Sequence, residues 1–133
     1  MSETQHGLAQ ALLKSLGDVE WIEHEELMDA LTAVSGSGPA YVFLLAECLA
    51  DAGVAAGLPA DLAMRLARAT IAGAGELLRR SPDIPAATLR ENVTSPGGVT
   101  AAALGELTAE DGLKRLFERA IAAAVRRAAE LSG

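Results

Sequence analysis

The sequence predicts an all-α fold made of one domain, and three observations support this prediction. Apolar residues recur mainly at the three- and four-residue spacing of amphipathic helices. Half of the 133 residues are hydrophobic while only 3% are aromatic, so alanine and leucine dominate the apolar stretches. Only residues 19–22 have the composition of a β-strand. We therefore expect a helical domain with one short strand near the N-terminus.

The first predicted helix covers residues 4–16. Its apolar side chains fall at helical spacing, and the residues that signal its ends are Ser2, Thr4 and Gly17. The short strand at residues 19–22 follows it. The remaining predicted helices cover residues 25–34, 40–52, 60–80, 86–92, 101–107 and 111–131.

The predicted breaks between these helices follow from glycine and proline. Segment 35–39, Ser-Gly-Ser-Gly-Pro, interrupts the helical pattern. Pro59 is suited to open the helix that follows Gly57, and Pro82 and Pro85 bracket a linker. The helices between these breaks are rich in alanine and bury little area per residue, which indicates that a partner chain covers part of them.

Composition also excludes several classes of function. The net charge is −7, and residues 1–30 contribute −6 of it, so no basic surface is available for a nucleic acid. Cys48 is the only cysteine, which excludes a disulfide framework, and we expect no metal site. No secretory signal and no membrane-spanning run is evident, so a soluble cytoplasmic protein that does not bind a membrane is expected.

Two glycine-containing turns are candidates for chemistry. Segment 35–39 lacks the preceding strand and third glycine of a dinucleotide-binding loop, so a helix break with close packing is the simpler interpretation. Segment 94–100, Thr-Ser-Pro-Gly-Gly-Val-Thr, leads into a helix whose N–H groups and dipole would favour a carboxylate or a phosphate. The alternative for this second turn is a plain helix cap in which Thr100 satisfies its own helix.

Three blocks of sequence resemble the pyrroline-5-carboxylate reductase family. They are residues 29–43, 52–59 and 89–104, and their order and spacing also agree with that family. The resemblance covers nearly the whole chain but only the C-terminal half of the family. It implies a helical dimerisation domain like the C-terminal domain of 6-phosphogluconate dehydrogenase, and reduction of 1-pyrroline-5-carboxylate to L-proline with NADPH or NADH.

The resemblance also implies roles for individual residues. Thr100 is the expected catalytic residue, with its hydroxyl near the ring nitrogen of the substrate. The expected substrate-binding residues are Val93, Thr94, Ser95, Gly97, Gly98 and Thr100, with the backbone N–H groups of Ser95, Gly97 and Gly98 facing the substrate carboxylate. The segment that approaches the nicotinamide of the cofactor consists of Ser35, Gly36, Ser37, Gly38 and Pro39.

The implied organisation is that of half an enzyme. Residues 1–24 would be the end of a Rossmann cofactor domain, and residues 25–133 the dimerisation and substrate-binding domain. A homodimer or a ring of dimers is expected. This chain alone is not expected to turn over substrate, because most of the cofactor cradle is absent. The alternatives are a free-standing helical dimerisation module without catalysis and a related imine or keto-acid reductase.

Overall fold

The computed structural model describes residues 2–15 and 19–132, and its regular elements are all helical. The seven α-helices in this part of the chain are α1 (Glu3–Lys14), α2 (Met28–Leu31), α3 (Gly38–Ala55), α4 (Ala60–Arg80), α5 (Ala86–Asn92), α6 (Val99–Leu107) and α7 (Leu113–Ser132). A 3₁₀ turn, Glu25–Leu27, precedes α2, and a π-helical turn, Thr32–Gly36, connects α2 to α3. The predicted all-α helical bundle is confirmed.

The strand predicted for residues 19–22 is wrong, because these residues have irregular backbone. A strand is stable only when a neighbouring strand pairs with it, and no strand occurs among residues 2–15 and 19–132. The indole of Trp21 stacks instead on the His6 ring of α1, with centroids 3.8 Å apart and planes 25° from parallel. This stacking connects α1 to the segment that leads into α2.

Local sequence signals explain the ends of most helices. Ser2 is confirmed as the cap of α1, since its hydroxyl accepts from Gln5 N–H and the Gln5 side chain accepts from Ser2 N–H. The predicted helix end at Gly17 lies outside the described residues. Gly57 has a φ of +102° between α3 and α4, and Pro59 directly precedes α4. The predicted break at residues 57–59 is thus confirmed.

The main tertiary contacts form two groups. In the first, α3 and α4 pack as a hairpin through the buried residues Ala50, Ala63 and Ala67. In the second, α7 packs against α2 and the π-helical turn. Because the hairpin contact is made of alanines, the two helix backbones approach closely while burying little side-chain area.

The predicted interruption at residues 35–39 does not end the helical path. Ser37, which links the π-helical turn to α3, has φ −88° and ψ −17°, so the helical stretch Glu25–Ala55 is continuous over 31 residues. By length and composition this stretch could cross a membrane, although core helices of soluble proteins share that property. The sequence pattern does not indicate this stretch, because the glycines and proline at residues 35–39 predict a break within it.

Candidate functional site

The turn before α6 has the backbone geometry that its sequence requires. Gly98 N–H donates to the Ser95 carbonyl at 3.0 Å, and Gly97 has a φ of +67°. Pro96 then Gly97 at the two central positions is the pattern of a type II turn. Thr94 fixes the start of the turn, because its hydroxyl donates to the Arg90 carbonyl of α5 at 2.6 Å.

The N-terminus of α6 has no side-chain cap. Gly98 is the capping residue, with φ −82° and ψ 179°, and no side chain bonds to the first turn of the helix. The N–H groups of Val99, Thr100 and Ala101 therefore lack an acceptor within the helix and point out of its end. Such an end attracts a carboxylate through both these donors and the helix dipole.

Thr100 does not cap its own helix. It is the second residue of α6, it is exposed, and no side-chain bond to the first turn is present. The plain-cap alternative for this turn therefore has no support in the geometry. Gly98 N–H, one of the three donors expected to face a carboxylate, is already used inside the turn. The donors that the helix itself offers at this end are those of residues 99–101.

The second candidate segment, residues 35–39, lies on and after the π-helical turn. Ser37 N–H donates to the Thr32 carbonyl at 2.9 Å, one residue further back than in an α-helix. Pro39 has no N–H, so the Ser35 carbonyl lacks its α-helical donor. Ser35 and Gly36 are exposed, and a Cβ added at Gly38 would meet no atom within 4 Å. The backbone here is open to a ligand.

Tyr41, a single tyrosine whose sequence surroundings suggest no more than packing, makes two specific contacts in the structure. Its hydroxyl donates to the carbonyl of Ala33, inside the π-helical turn, at 3.0 Å. Its ring also contacts the Phe117 ring of α7 edge-on, with centroids 6.2 Å apart. The eight-residue separation from Ala33 gives no signal in the sequence, because a regular helix does not make this bond.

A single chain does not bring the two candidate segments together through its main contacts. The π-helical turn packs on α2, α3 and α7, whereas α6 takes no part in the main helix contacts. Two grooves on the described surface are lined by residues outside both candidate segments. One of about 460 Å³ between α3 and α4 is lined by Val42, Phe43, Ala46, Glu47, Met64, Arg68, Ile71 and Ala72. Another of about 420 Å³ is lined by Glu110, Asp111, Arg115, Glu118 and Arg119.

Five ion pairs are present among the described residues, and all of them lie at the surface. Hydrogen bonds from Arg79, and to a smaller extent from Arg80, lower the pKa of the Glu76 carboxyl from its ordinary value of 4.5. Within residues 2–15 and 19–132, no three His, Cys, Asp or Glu side chains are grouped as metal ligands.

Comparison with known proteins identifies relatives over the same region. Residues 25–131 match the family model for pyrroline-5-carboxylate reductase dimerisation. A pyrroline-5-carboxylate reductase of Pisum sativum is 44% identical over 131 residues, which cover 98% of this chain and 47% of that protein. The reductase of Synechocystis is 46% identical over 123 residues, 92% of this chain and 45% of that protein.

Solved structures agree with these sequence matches. A pyrroline-5-carboxylate reductase from Coxiella burnetii superposes with a TM-score of 0.92 at 37% identity, covering 98% of this chain and 48% of that one. The Plasmodium falciparum enzyme, solved with NADP bound, has a TM-score of 0.80 at 38% identity and covers 96% and 47%. The chain thus spans about half the length of the relatives it matches.

Proposed function

The chain belongs to the pyrroline-5-carboxylate reductase family through its dimerisation domain, and from this premise we propose that it supplies the dimerising and substrate-binding half of the reductase. The complete enzyme would reduce 1-pyrroline-5-carboxylate to L-proline with NADPH or NADH. The single observation that carries the substrate assignment is the uncapped N-terminus of α6, with Thr100 in its first turn. This arrangement suits a small substrate that bears a carboxylate.

Each part of the site has a distinct task in this proposal. The N–H groups of Ser95 and Gly97, together with those of residues 99–101 at the start of α6, bind the substrate carboxylate and orient the ring. The Thr100 hydroxyl hydrogen-bonds the ring nitrogen, which takes a proton from solvent as the neighbouring carbon receives the hydride. Reduced nicotinamide, when bound, supplies the hydride, and segment 35–39 borders it. Orientation and exclusion of water are then the chain's main contributions to rate.

A homodimer is part of the proposal, and the large solvent-accessible surface of the single chain supports it. The single chain exposes 10609 Å². A folded monomer of this mass exposes about 6,600 Å². The excess is larger than the roughly 800 Å² that each partner buries in a standard interface, and it suits an obligate homodimer. We propose that the apolar helix α3, on which Phe43 is 67% exposed, packs against the partner rather than against lipid.

The catalytic assignment can be tested by complementation with Thr100→Val. The chain alone should not oxidise NADPH with 1-pyrroline-5-carboxylate, and turnover should appear when a reductase cofactor domain is supplied. Losing one hydrogen bond to the reacting substrate should lower kcat/KM about tenfold. Thr108→Val is the matched control, because the Thr108 hydroxyl bonds to Leu104 at the other end of α6.

Four outcomes would count against the proposal. Ordinary enzyme rates from the chain alone would show that it is not half of the catalyst. Equal effects of the two valine substitutions would remove Thr100 from the reaction. A clean 13.6 kDa monomer in gel filtration at micromolar concentration would exclude the homodimer. A stable dimer that the cofactor domain cannot activate would favour the dimerisation module without catalysis.

A further inference from the structure

We propose that Tyr41 is a positioning residue that holds the π-helical turn, Thr32–Gly36, and thereby aims the segment that faces the cofactor. That the segment faces a nicotinamide cofactor is taken from the proposed function. The structural part of the proposal concerns the backbone of the turn alone. Tyr41 combines a hydrogen bond to the turn with a ring contact to α7, so it connects α3, the turn and α7.

The hydrogen bond compensates for the altered pairing of the turn. In an α-helix, Ser37 N–H would donate to the Ala33 carbonyl. Here it donates to Thr32 instead, and the Tyr41 hydroxyl donates to Ala33 at 3.0 Å. Ala33 is only 1% exposed, so water is a poor substitute for this donor. The phenol therefore stabilises the π-helical turn against opening.

The ring contact fixes where that donor lies. Phe117 of α7 meets the Tyr41 ring edge-on, at an interplanar angle of 78°. The same helix α7 packs against the π-helical turn itself. A shift of the Tyr41 ring is thus opposed by α7, and the hydroxyl stays in reach of Ala33.

The turn in turn sets the direction of the predicted cofactor segment. A π-helical turn carries one extra residue, so the residues that follow it face a different direction than in a regular helix. Ser35, Gly36 and Ser37 lie within or directly after it. Loss of the Tyr41 hydroxyl should destabilise this turn, so that it opens more often and its exposed backbone groups lose their fixed direction without any of them being removed.

Amide hydrogen exchange on the 133-residue chain tests the structural part. Tyr41→Phe keeps the ring and removes only the donor. Removing one hydrogen bond lowers the free energy needed to open the turn. Exchange at the Ser37 amide should therefore become about fivefold faster or more. Amides in the middle of α4 should exchange at the wild-type rate. Unchanged exchange at Ser37 would overturn the proposal.

A rescue variant separates the donor from packing. Incorporating 4-aminophenylalanine at position 41 restores a donor at the same place and should restore slow exchange at Ser37. Phe117→Leu is the matched control, because it removes the edge contact while leaving the phenol in place. Its effect should be smaller than that of Tyr41→Phe. Failure of the amine to rescue would assign the effect to packing and contradict the proposal.

Kinetics of the complemented enzyme test the link to the cofactor. Tyr41→Phe should raise the KM for the reduced nicotinamide cofactor about fivefold and leave the KM for the imine unchanged. Equal changes in both constants would contradict a role directed at the cofactor segment. Absence of activity in the wild-type assembly would overturn the proposed function instead, since the exchange experiment decides the role of Tyr41 independently.

Discussion

The α3–α4 hairpin and the region formed by the turn at residues 93–98 and α6 differ in what covers them. In the hairpin, Ala50, Ala63 and Ala67 are 4%, 3% and 2% exposed. In α6 no residue is buried, and Val99 is 90% exposed. Both regions are alanine-rich and helical, so composition does not account for the difference. The hairpin has its packing partner within the chain, whereas α6 takes no part in the main helix contacts among the described residues.

The hairpin is suited to stabilise the fold, and the α6 region is suited to bind a ligand or a partner. The hairpin is a scaffold whose two backbones are held close by small side chains. The α6 region presents its donors and its apolar side chains outward, which suits a surface completed by ligand and partner. Substitutions should therefore act on folding in the hairpin and mainly on assembly or binding in α6.

The largest effect is expected from Ala63→Leu in the hairpin. The added methylene groups must displace α3, because Ala63 lies close to Gly53, where an added Cβ would approach its methyl at 3.3 Å. The unfolding free energy should fall by about 2–3 kcal/mol. Urea unfolding at one fixed protein concentration measures it, since dimerisation makes apparent stability depend on concentration.

Ala69→Leu is the matched control for that substitution. It makes the same change on an exposed position of α4, between Arg65 and Glu76 on one helix face. Its effect on the urea midpoint should be within the range of ordinary surface substitutions. If it destabilises the chain as much as Ala63→Leu does, the partner covers that face of the hairpin. The hairpin would then depend on the partner, as α6 is expected to.

A smaller loss is expected from Gly112→Ala, at the junction of α6 and α7. A Cβ there would lie 2.5 Å from the Leu107 carbonyl oxygen and 2.9 Å from that of Ala109, so backbone must shift. We expect a loss of about 1–2 kcal/mol in unfolding free energy, the scale of local strain. Thermal unfolding followed by circular dichroism is the measurement.

Gly105→Ala, within α6, should have the opposite sign. An added Cβ there meets no atom of the chain within 4 Å. Alanine should then stabilise the helix by about 0.5–1 kcal/mol through its higher helix propensity. A loss of stability at this position would show that a helix of the partner approaches Gly105 closely, which would make α6 part of the dimer contact.

The smallest effect is expected from Glu76→Gln at the solvated end of α4. Arg79 and Arg80 lower the pKa of Glu76 in the folded chain, so its contribution to stability is present above pH 4.5 and is lost as the pH falls through the folded-state pKa. The variant should have a slightly lower urea midpoint at pH 7. The difference should vanish in acid and shrink in high salt, because these pairs are exposed. A difference that persists in acid would show that the carboxylate charge is not its cause.

Sequence alone predicted what local chemistry determines. Gly57, Pro59 and Pro85 mark helix ends through φ preferences and missing donors, so their helices began and ended close to the predicted residues. Positive φ at Gly97 likewise follows from the turn that Pro96 and the paired glycines favour. These features need no information from distant parts of the chain.

What depends on tertiary contact was not predictable. The strand at residues 19–22 was wrong because strand propensity does not supply a pairing partner. The helix takes π-helical pairing at Thr32–Gly36, and a phenol eight residues from Ala33 donates to the Ala33 carbonyl there, a contact that no local pattern indicates. In the proposed function a second chain and a cofactor domain bring the two candidate segments into one site, and no local pattern in this sequence describes that arrangement.

The alanine-only interior has a consequence for mutational mapping. The buried hydrophobic residues of the described chain are Ala33, Ala50, Ala63 and Ala67. Truncation to alanine, the usual way of locating a core, leaves every one of these positions unchanged. A scan of that kind would therefore report the scaffold as silent and direct attention to the surface. Scanning with a larger residue such as leucine is the informative experiment for this fold, because here only added volume can reveal which helices touch.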